Sequence, residues 1–458
     1  MRHNLRMSHH EAACRRARLP HFGNLAFLKA AALLAGGLIL PAAARAANLT
    51  DLGTLGDPLT AASRSSYAYG VSADGSTIIG YSDTGTANHA FKYVGTTMTD
   101  LGALGDPLTA ASRYSVAKGV SADGSVIVGE SDTGTATHAF IYANSVMLDV
   151  VEWMASISGP AGILPIVNSL SSMPMEGAHH RPLMSYDAMG KTSQSWVTGD
   201  FGSRSRKSDS ATTTGEAGVS GTFGDVVAGV AVGYGSQNND LLFGGSSNIA
   251  GQYLLGEVDT RLADKESILS LTAMIGNWKS DTLRGYAIGG GTDYSHGATD
   301  MKSARVRLRL DGPAMKMSVV PVFTPFASFT WGHTSADAYS ETGGSFDAQF
   351  DKQTHNSQEG RLGVTSKYVL GVNTTLLATA EWIHRFDKTQ SGFSGTDIDH
   401  GALPFSVAGA AITRDQARFG FDIDHKLSAD TLLNISMHFT GIGEAPDVSG
   451  AISIRRAF

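Results

Sequence analysis

Leu433-Asn434-Ile435-Ser436-Met437-His438-Phe439-Thr440 decides the fold of this chain, because every odd position is apolar and every even one polar. Side chains of a strand point alternately to opposite faces, so the segment has one oily face and one wet face. Arg305-Val306-Arg307-Leu308-Arg309-Leu310 alternates in the same way, as does Arg418-Phe419-Gly420-Phe421-Asp422-Ile423-Asp424. A soluble sandwich alternates too, but its strands run to about five or six residues. Here the alternation lasts roughly nine to twelve residues per segment, enough to cross a bilayer at a tilt of about 45°. The spacing predicts strands over approximately 194–203, 212–224, 225–236, 247–263, 266–280, 299–311, 315–336, 355–369, 373–388, 414–427, 431–443 and 447–458. The gaps at 281–298, 337–354 and 389–413 are polar and Gly-rich, and they alternate with short connections. Long loops at one end of a barrel and tight turns at the other give that pattern. The expected fold is therefore all-β, an antiparallel transmembrane β-barrel of about twelve strands, since only closure removes sheet edges in lipid. Leu433, Ile435, Met437 and Phe439 are expected to face lipid.

The first residues set the compartment. Arg2, Arg6, Arg15, Arg16, Arg18 and Lys29 precede an apolar stretch from Ala30 to Leu40, followed by Pro41 and Ala44-Arg45-Ala46. A basic start, a short apolar core and an A-x-A site predict a secretory leader over 1–46, cut between Ala46 and Ala47. The apolar run is shorter than the roughly 20 residues of a spanning helix. The stretch before Lys29 is long for a leader, which makes Met7 a second candidate start. The single cysteine, Cys14, lies within the leader and ahead of its apolar run, so neither a disulfide nor a lipid anchor is expected in the exported chain. Beyond the leader no apolar stretch is read as approaching the roughly 18 residues of a spanning helix, which leaves a barrel as the membrane form. A formal charge of −7, with no basic block after the leader, gives no support to a nucleic-acid partner.

Residues 51–98 and 100–147 are near copies, offset by 49 positions. Asp51-Leu52-Gly53-Thr54-Leu55-Gly56-Asp57-Pro58-Leu59 returns as Asp100-Leu101-Gly102-Ala103-Leu104-Gly105-Asp106-Pro107-Leu108, and the Asp-Gly pair at Asp74 returns at Asp123. Asp-Gly between apolar runs predicts tight turns, and each unit reads as four short strands resembling one blade of a β-propeller. Closed propellers have at least about four blades and this chain supplies two, so an open sheet or pairing with another chain is expected. In the linker 148–189, the stretch Val150 to Ile157, with Glu152, Trp153 and Ile157, has helical spacing that Gly159-Pro160 breaks; Ile163 to Met173 predicts a second short helix. About 20 helical residues span roughly 30 Å. Part of 150–175 is expected inside the barrel, with the repeats at the long-loop side and with Trp153 and Ile157 against Gly229 and Gly233.

These features together resemble an autotransporter, the type V secretion class of Gram-negative bacteria. The matching residues are the leader, the helical segment, Trp196-Val197-Thr198-Gly199-Asp200-Phe201-Gly202 opening the barrel, the strand series and Phe458. The paired repeats resemble the HAF repeat through His89-Ala90-Phe91 and His138-Ala139-Phe140. The resemblance implies a surface-exposed passenger at 47–147 and a translocator barrel at 190–458 embedded in outer-membrane lipid. It also implies insertion by the outer-membrane assembly machinery, with Ile452, Ile454 and Phe458 as the signal it reads. Arg456 stands where an apolar residue is usual, and its long stem would let the charge snorkel to the interface.

Arg305, Arg307, Arg309, Arg361 and Arg418 share the polar face with Glu257, Asp259, Glu381, Asp422 and Asp424. The plainer reading is solvated ion pairs lining the wall; the sharper one is a clamp on the linker, which needs partners there such as Glu152. No catalytic constellation is visible. Gly56-Asp57-Pro58-Leu59 is similar to the Gly-Asp-Ser-Leu block of autotransporter esterases, but proline stands in the nucleophile's place. G-x-S-x-G and H-E-x-x-H are absent. His89 and His138 are read as packing or hydrogen-bonding residues, His179-His180 as solvated loop, and Asp74 and Asp123 as turn residues lacking calcium-loop spacing. No enzyme, cofactor or metal is expected. The expected function is display of the repeats for contact with a host or neighbouring cell; the alternative is an outer-membrane channel whose repeats are periplasmic or plug it.

Overall fold

Twelve antiparallel strands close on themselves in this computed structural model. The structure describes residues 49–56, 64–105, 111–186, 191–204, 210–288, 291–316, 322–399, 403–442 and 448–458; the leader and its cleavage pair Ala46–Ala47 lie outside them. Ahead of the barrel are β1 (Ser66–Val71), β2 (Thr77–Asp83), β3 (Asn88–Val94) and β4 (Thr97–Asp100), then β5 (Ser115–Val120), β6 (Ile127–Asp132), β7 (Thr137–Ala143) and β8 (Val146–Asp149). Two helices follow, α1 (Val150–Ala161) and α2 (Ile163–Glu176). The wall is β9 (Ser193–Arg204), β10 (Ser210–Phe223), β11 (Val226–Asp240), β12 (Ser246–Arg261), β13 (Ile268–Ile288), β14 (Gly291–Asp311), β15 (Val322–Ala336), β16 (Gln353–Val369), β17 (Thr374–Arg385), β18 (Asp415–Lys426), β19 (Thr431–Ile442) and β20 (Val448–Ala457). Closure is made by β20 on β9, with Ile454 opposite Val197 and Ala457 opposite Gln194.

The wall is inside out relative to a soluble barrel. On β14, Val306, Leu308 and Leu310 are 40–51% exposed while Arg305, Arg307 and Arg309 are 3–7% exposed. Ile435, Met437 and Phe439 face outward, and Leu433, half-buried, shares their face. Outward apolar residues with an inward polar face suit a wall solvated by lipid. The connections after β10, β12, β16 and β18 are short, and both Ser193 and Ala457 lie at their end.

The long-loop end is more ordered than the sequence reading expects. Residues 281–288 and 291–298 are strand and not loop: β13 and β14 stay paired from Ile268↔Asp311 to Ile288↔Gly291. Thr282, Arg284 and Ser295 there are buried against other protein, so polarity at those positions marks a second interface and not solvent. The gaps at 337–354 and 389–413 hold four short strands, Tyr339–Ser340, Ala348–Phe350, Phe393–Asp397 and Pro404–Val407, joined into one antiparallel sheet. It forms a cap whose core is Phe346, Phe350, Phe393 and Phe405.

Each repeat is a four-stranded antiparallel meander, like one propeller blade. The two share a core of Ile79, Ala90, Leu104, Ile127, Phe140 and Met147, and the Ala90 N–H donates across it to Ser115 Oγ at 2.8 Å. Gly75 and Gly124 both take φ of 74°, the left-handed turn conformation that glycine adopts without strain. A single pairing, Leu148 opposite Ile288, joins the second meander to the rim of the barrel.

Helix α1 continues through Gly159-Pro160, and the break falls at Gly162. Together, Val150–Glu176 are long and apolar enough to cross a membrane by composition, contrary to the expectation that nothing after the leader would be. Helix α2 instead lies inside the barrel, and α1 packs at its rim.

Candidate functional site

The inner side of the wall and the segment it encloses form the candidate site. In α2, Ile163, Val167 and Leu170 recur at helical spacing and are buried against Ile249, Met274, Trp278 and Met301. Gly235 makes room for this: a Cβ there would stand 3.3 Å from both Leu170 and Trp278. The repeats emerge at the long-loop end. There Trp153 and Ile157 of α1 pack into the cap beside Tyr286, Phe346 and Phe405. They do not meet Gly229 and Gly233; Leu183 and Trp196 occupy the first glycine, and Tyr253 of the adjacent strand covers the second. Those glycines lie deeper in the barrel than α1 reaches, because the break at Gly162 makes α2 the helix that fills the lumen.

A helix ends with carbonyls that lack intrahelical partners. At the end of α2 all four find one. Met173 accepts from the Gly177 N–H at 2.8 Å and Pro174 from the His179 N–H at 3.0 Å. Arg307 donates to the Met175 carbonyl, and Arg418 Nη2 to that of Glu176 at 2.9 Å. Cations beside a helix C-terminus also oppose its negative dipole end. The wall thus caps the plug.

Side chains complete the grip. Arg305 Nε donates to Ser171 Oγ at 2.9 Å and its Nη2 to the Asn168 side chain. The Glu176 carboxylate meets both Arg361 and Arg418, which Glu381 also bonds, at 3.0 and 3.1 Å. Arg309 stands apart, bound to Asp311 at 2.7 Å and lying over the Phe326 ring. Glu152 is in the first turn of α1, so the acid that meets the wall arginines is Glu176. Its place at the rim, and not in the lumen, follows from the same helix break. These pairs along the wall are buried and not solvated, as buried charge requires pairing, and at Arg361 and Arg418 the pairing crosses from wall to plug.

The turn after α2 reverses the charges. His179 and His180 are buried, and are not the solvated loop expected of them. His179 places Nε2 2.7 Å from Glu216 and Nδ1 2.7 Å from Glu257, which the doubly protonated imidazolium satisfies with both carboxylates ionised. Arg181 bonds Asp424 at 2.9 Å, His180 approaches Asp422, and the Leu183 and Met184 N–H groups donate to Glu257 and Asp259. Gly177 admits the wall closely: a Cβ there would lie 2.0 Å from Asp200 Oδ1, which accepts from the Ala178 N–H. At the loop end, Arg284 binds Glu341, Ser156 and the Phe346 carbonyl.

Glu176, Arg284, Glu341 and His179 escape the sequence reading. A signal exists for the first: Glu176 is the sole acid between Ile163 and Tyr186, with a run of bases three residues later. Outside the lumen, His89 Nδ1 lies 2.9 Å from Asp100, and His138 Nδ1 2.6 Å from Asp149. Ile452 and Ile454 face outward, and Arg456 is exposed at the turn-end rim, 3.8 Å from Asp430.

A lipid-facing antiparallel barrel filled by the helix that precedes its own first strand defines a plugged outer-membrane transport barrel. Residues 188–438 match the model of the autotransporter beta-domain, and the chain belongs to that family, the outer-membrane proteins of type V secretion. Among solved structures it is similar to the translocator domain of the autotransporter NalP from Neisseria meningitidis, with a TM-score of 0.50 and 13% identity, covering 66% of this chain and 99% of that one. The beta domain of the Bordetella autotransporter BrkA follows at 0.42 and 16%, covering 58% and 99%. The transport unit of AIDA-I from Escherichia coli stands at 0.38 and 11%, covering 63% and 97%. No curated protein sequence matches the chain.

Proposed function

We propose that the chain carries its own two repeats out through its barrel and presents them at the cell surface as a non-enzymatic contact module. In this reading 1–46 is the leader, 47–147 the passenger, 148–189 the linker and 190–458 the translocator. The direction of the linker supports it. The segment enters at the long-loop end and leaves at the end shared by Ser193 and Ala457, and long loops of such barrels face outward from the cell. The same reading makes Ile452, Ile454 and Phe458 the signal for the outer-membrane assembly machinery.

Contact with a host or neighbouring cell is supported by a difference between the copies. Tyr67, Tyr69 and Tyr81 cluster on the first repeat, with Tyr67 and Tyr81 stacked at 5.0 Å. Val116, Lys118 and Glu130 stand at those places in the second, where the last two form an ion pair at 2.7 Å. Exposed tyrosines are favoured at recognition surfaces because they offer large, rigid contact area. A filled lumen weighs against the channel reading.

The test introduces cysteine at exposed Ser125 in a Cys14→Ser background and treats intact cells with an impermeant thiol reagent. Labelling of intact cells is expected. Labelling only after the outer membrane is broken would put the repeats in the periplasm and favour the channel.

A further inference from the structure

One side chain of the plug and two of the inner wall meet where the plug turns. His180 comes from the turn after α2, Asp422 from β18 and His438 from β19; all are buried, and one ligand atom of each lies within 4.8 Å of the others. His180 Nδ1 is 2.6 Å from the Gly177 carbonyl oxygen, which can only accept, so Nδ1 carries a proton and donates it. That leaves Nε2 pointing at the Asp422 carboxylate at 3.0 Å. This is the disposition of a metal-bound imidazole, whose second nitrogen donates to a backbone carbonyl. In a neutral His180 the Nε2 lone pair would face carboxylate lone pairs, a repulsion that a cation between them removes. A further atom bears on the same place: among the described residues, His438 Nδ1 is buried without a hydrogen-bond partner. The nearby arginines are engaged with other carboxylates, Arg181 with Asp424, and Arg361 and Arg418 with Glu176 and Glu381.

We propose that His180, Asp422 and His438 bind one divalent transition-metal ion of the zinc class, tying the plug to strands β18 and β19. Two imidazoles and one carboxylate, with water as fourth ligand, suit tetrahedral Zn2+. Ligands about 2.0–2.2 Å from such an ion stand roughly 3.3 Å apart. The set therefore draws together on loading from its present spread of up to 4.8 Å. The bond would close a cross-link between a segment that precedes the barrel and two strands near its end. The site stands whether or not the repeats reach the cell surface.

The test uses the full chain, purified in detergent and shown folded by its heat-modifiable band. It is equilibrated with Zn2+, freed of excess, and the zinc per chain is counted; Co2+ then replaces Zn2+ so that the visible spectrum reports coordination. One zinc per chain and the absorption of tetrahedral Co2+ are expected. Loss of even an outer-shell partner weakens metal binding about 10–100-fold, so folded His438→Ala and Asp422→Asn are each expected to bind at least about tenfold more weakly. His425→Ala, outside the set, should bind as the wild type does. Asp422→Asn preserves side-chain volume and guards against collapse of the His438 variant, and the wild-type count needs neither. Folded wild-type protein without zinc, or binding that survives both substitutions, overturns the proposal.

Discussion

Arg307 donates to the main-chain carbonyls of Met175 and His179, two acceptors that water cannot reach. Arg307→Ala leaves both unpaired, and hydrogen bonds to a charged group contribute about 1.5–3 kcal/mol. A loss of that order in unfolding free energy is expected, read as a lower urea midpoint of the heat-modifiable form; an unchanged midpoint would mean that the plug is held without it. A second prediction concerns pH. The Asp123 carboxyl is held down to about 2 from 3.8 by the Ser121 hydroxyl, then by the Ser125 N–H and hydroxyl. A depressed carboxylate contributes stability that is present above its unfolded value and lost as pH falls through the folded one. The turn at Asp123 should therefore loosen as pH drops from about 4 toward 2, as should that at Asp74, whose carboxyl is lowered by the equivalent serines. NMR titration of labelled aspartate checks this, and a midpoint for Asp123 at or above 3.8 would contradict it. The charged residues of the wall are legible in the sequence as an inward row, since alternation puts Arg305, Arg307 and Arg309 on one face. Their partners are not, because Asn168, Ser171 and main-chain carbonyls carry no sequence mark of what approaches them.

At the scale of elements, one aspartate of the repeat changes its task between copies. Asp100 bonds His89 and accepts from the Gly102 N–H in a turn. Its counterpart Asp149 bonds His138 and also accepts from the Val151 and Glu152 N–H groups at 2.9 and 3.2 Å, capping α1. A side-chain cap contributes about 0.5–2 kcal/mol, so Asp149→Ala is expected to destabilise the rim end of the linker by about 1 kcal/mol or more. Hydrogen exchange of the α1 amides would read it, and unaltered protection there would rule the cap unimportant. Period-two alternation marks the twelve wall strands to within a few residues, except at the start of β15, which begins at Val322 and not 315, and where β13 and β14 run on toward the cap. There the strands pair for the sake of the cap, and Arg284 and Tyr286 look like loop residues until Glu341 and Phe346, far along the chain, are brought to them.

For the whole molecule, the filled lumen predicts a poor conductor. Glu176→Ala removes the carboxylate shared by Arg361 and Arg418 and leaves those cations with Glu381 and Glu359 alone. Planar-bilayer recordings should show small, rare openings in the wild type and larger, more frequent ones in the variant. A wild type as conductive as its variant would show that the helix does not seal the pore. The closure of the barrel is readable in advance because it is a periodic property of each strand. The sealing is not, since it depends on which helix reaches which depth, and three residues' difference in the break, from Gly159 to Gly162, moves Trp153 from the lumen to the rim.

The absence of any spacer between β8 and α1 has a mechanical consequence. A load on the repeats passes from Asp149 straight into the helix, with no slack chain to extend first. Pulled outward along its axis, α2 would bring the bonds to Arg305, Arg307, Arg361 and Arg418 under shear together, where a frayed end would release them one by one. Such an anchorage is stiff up to its breaking force and then yields at once, so a tethered repeat behaves as a rivet and not as a leash.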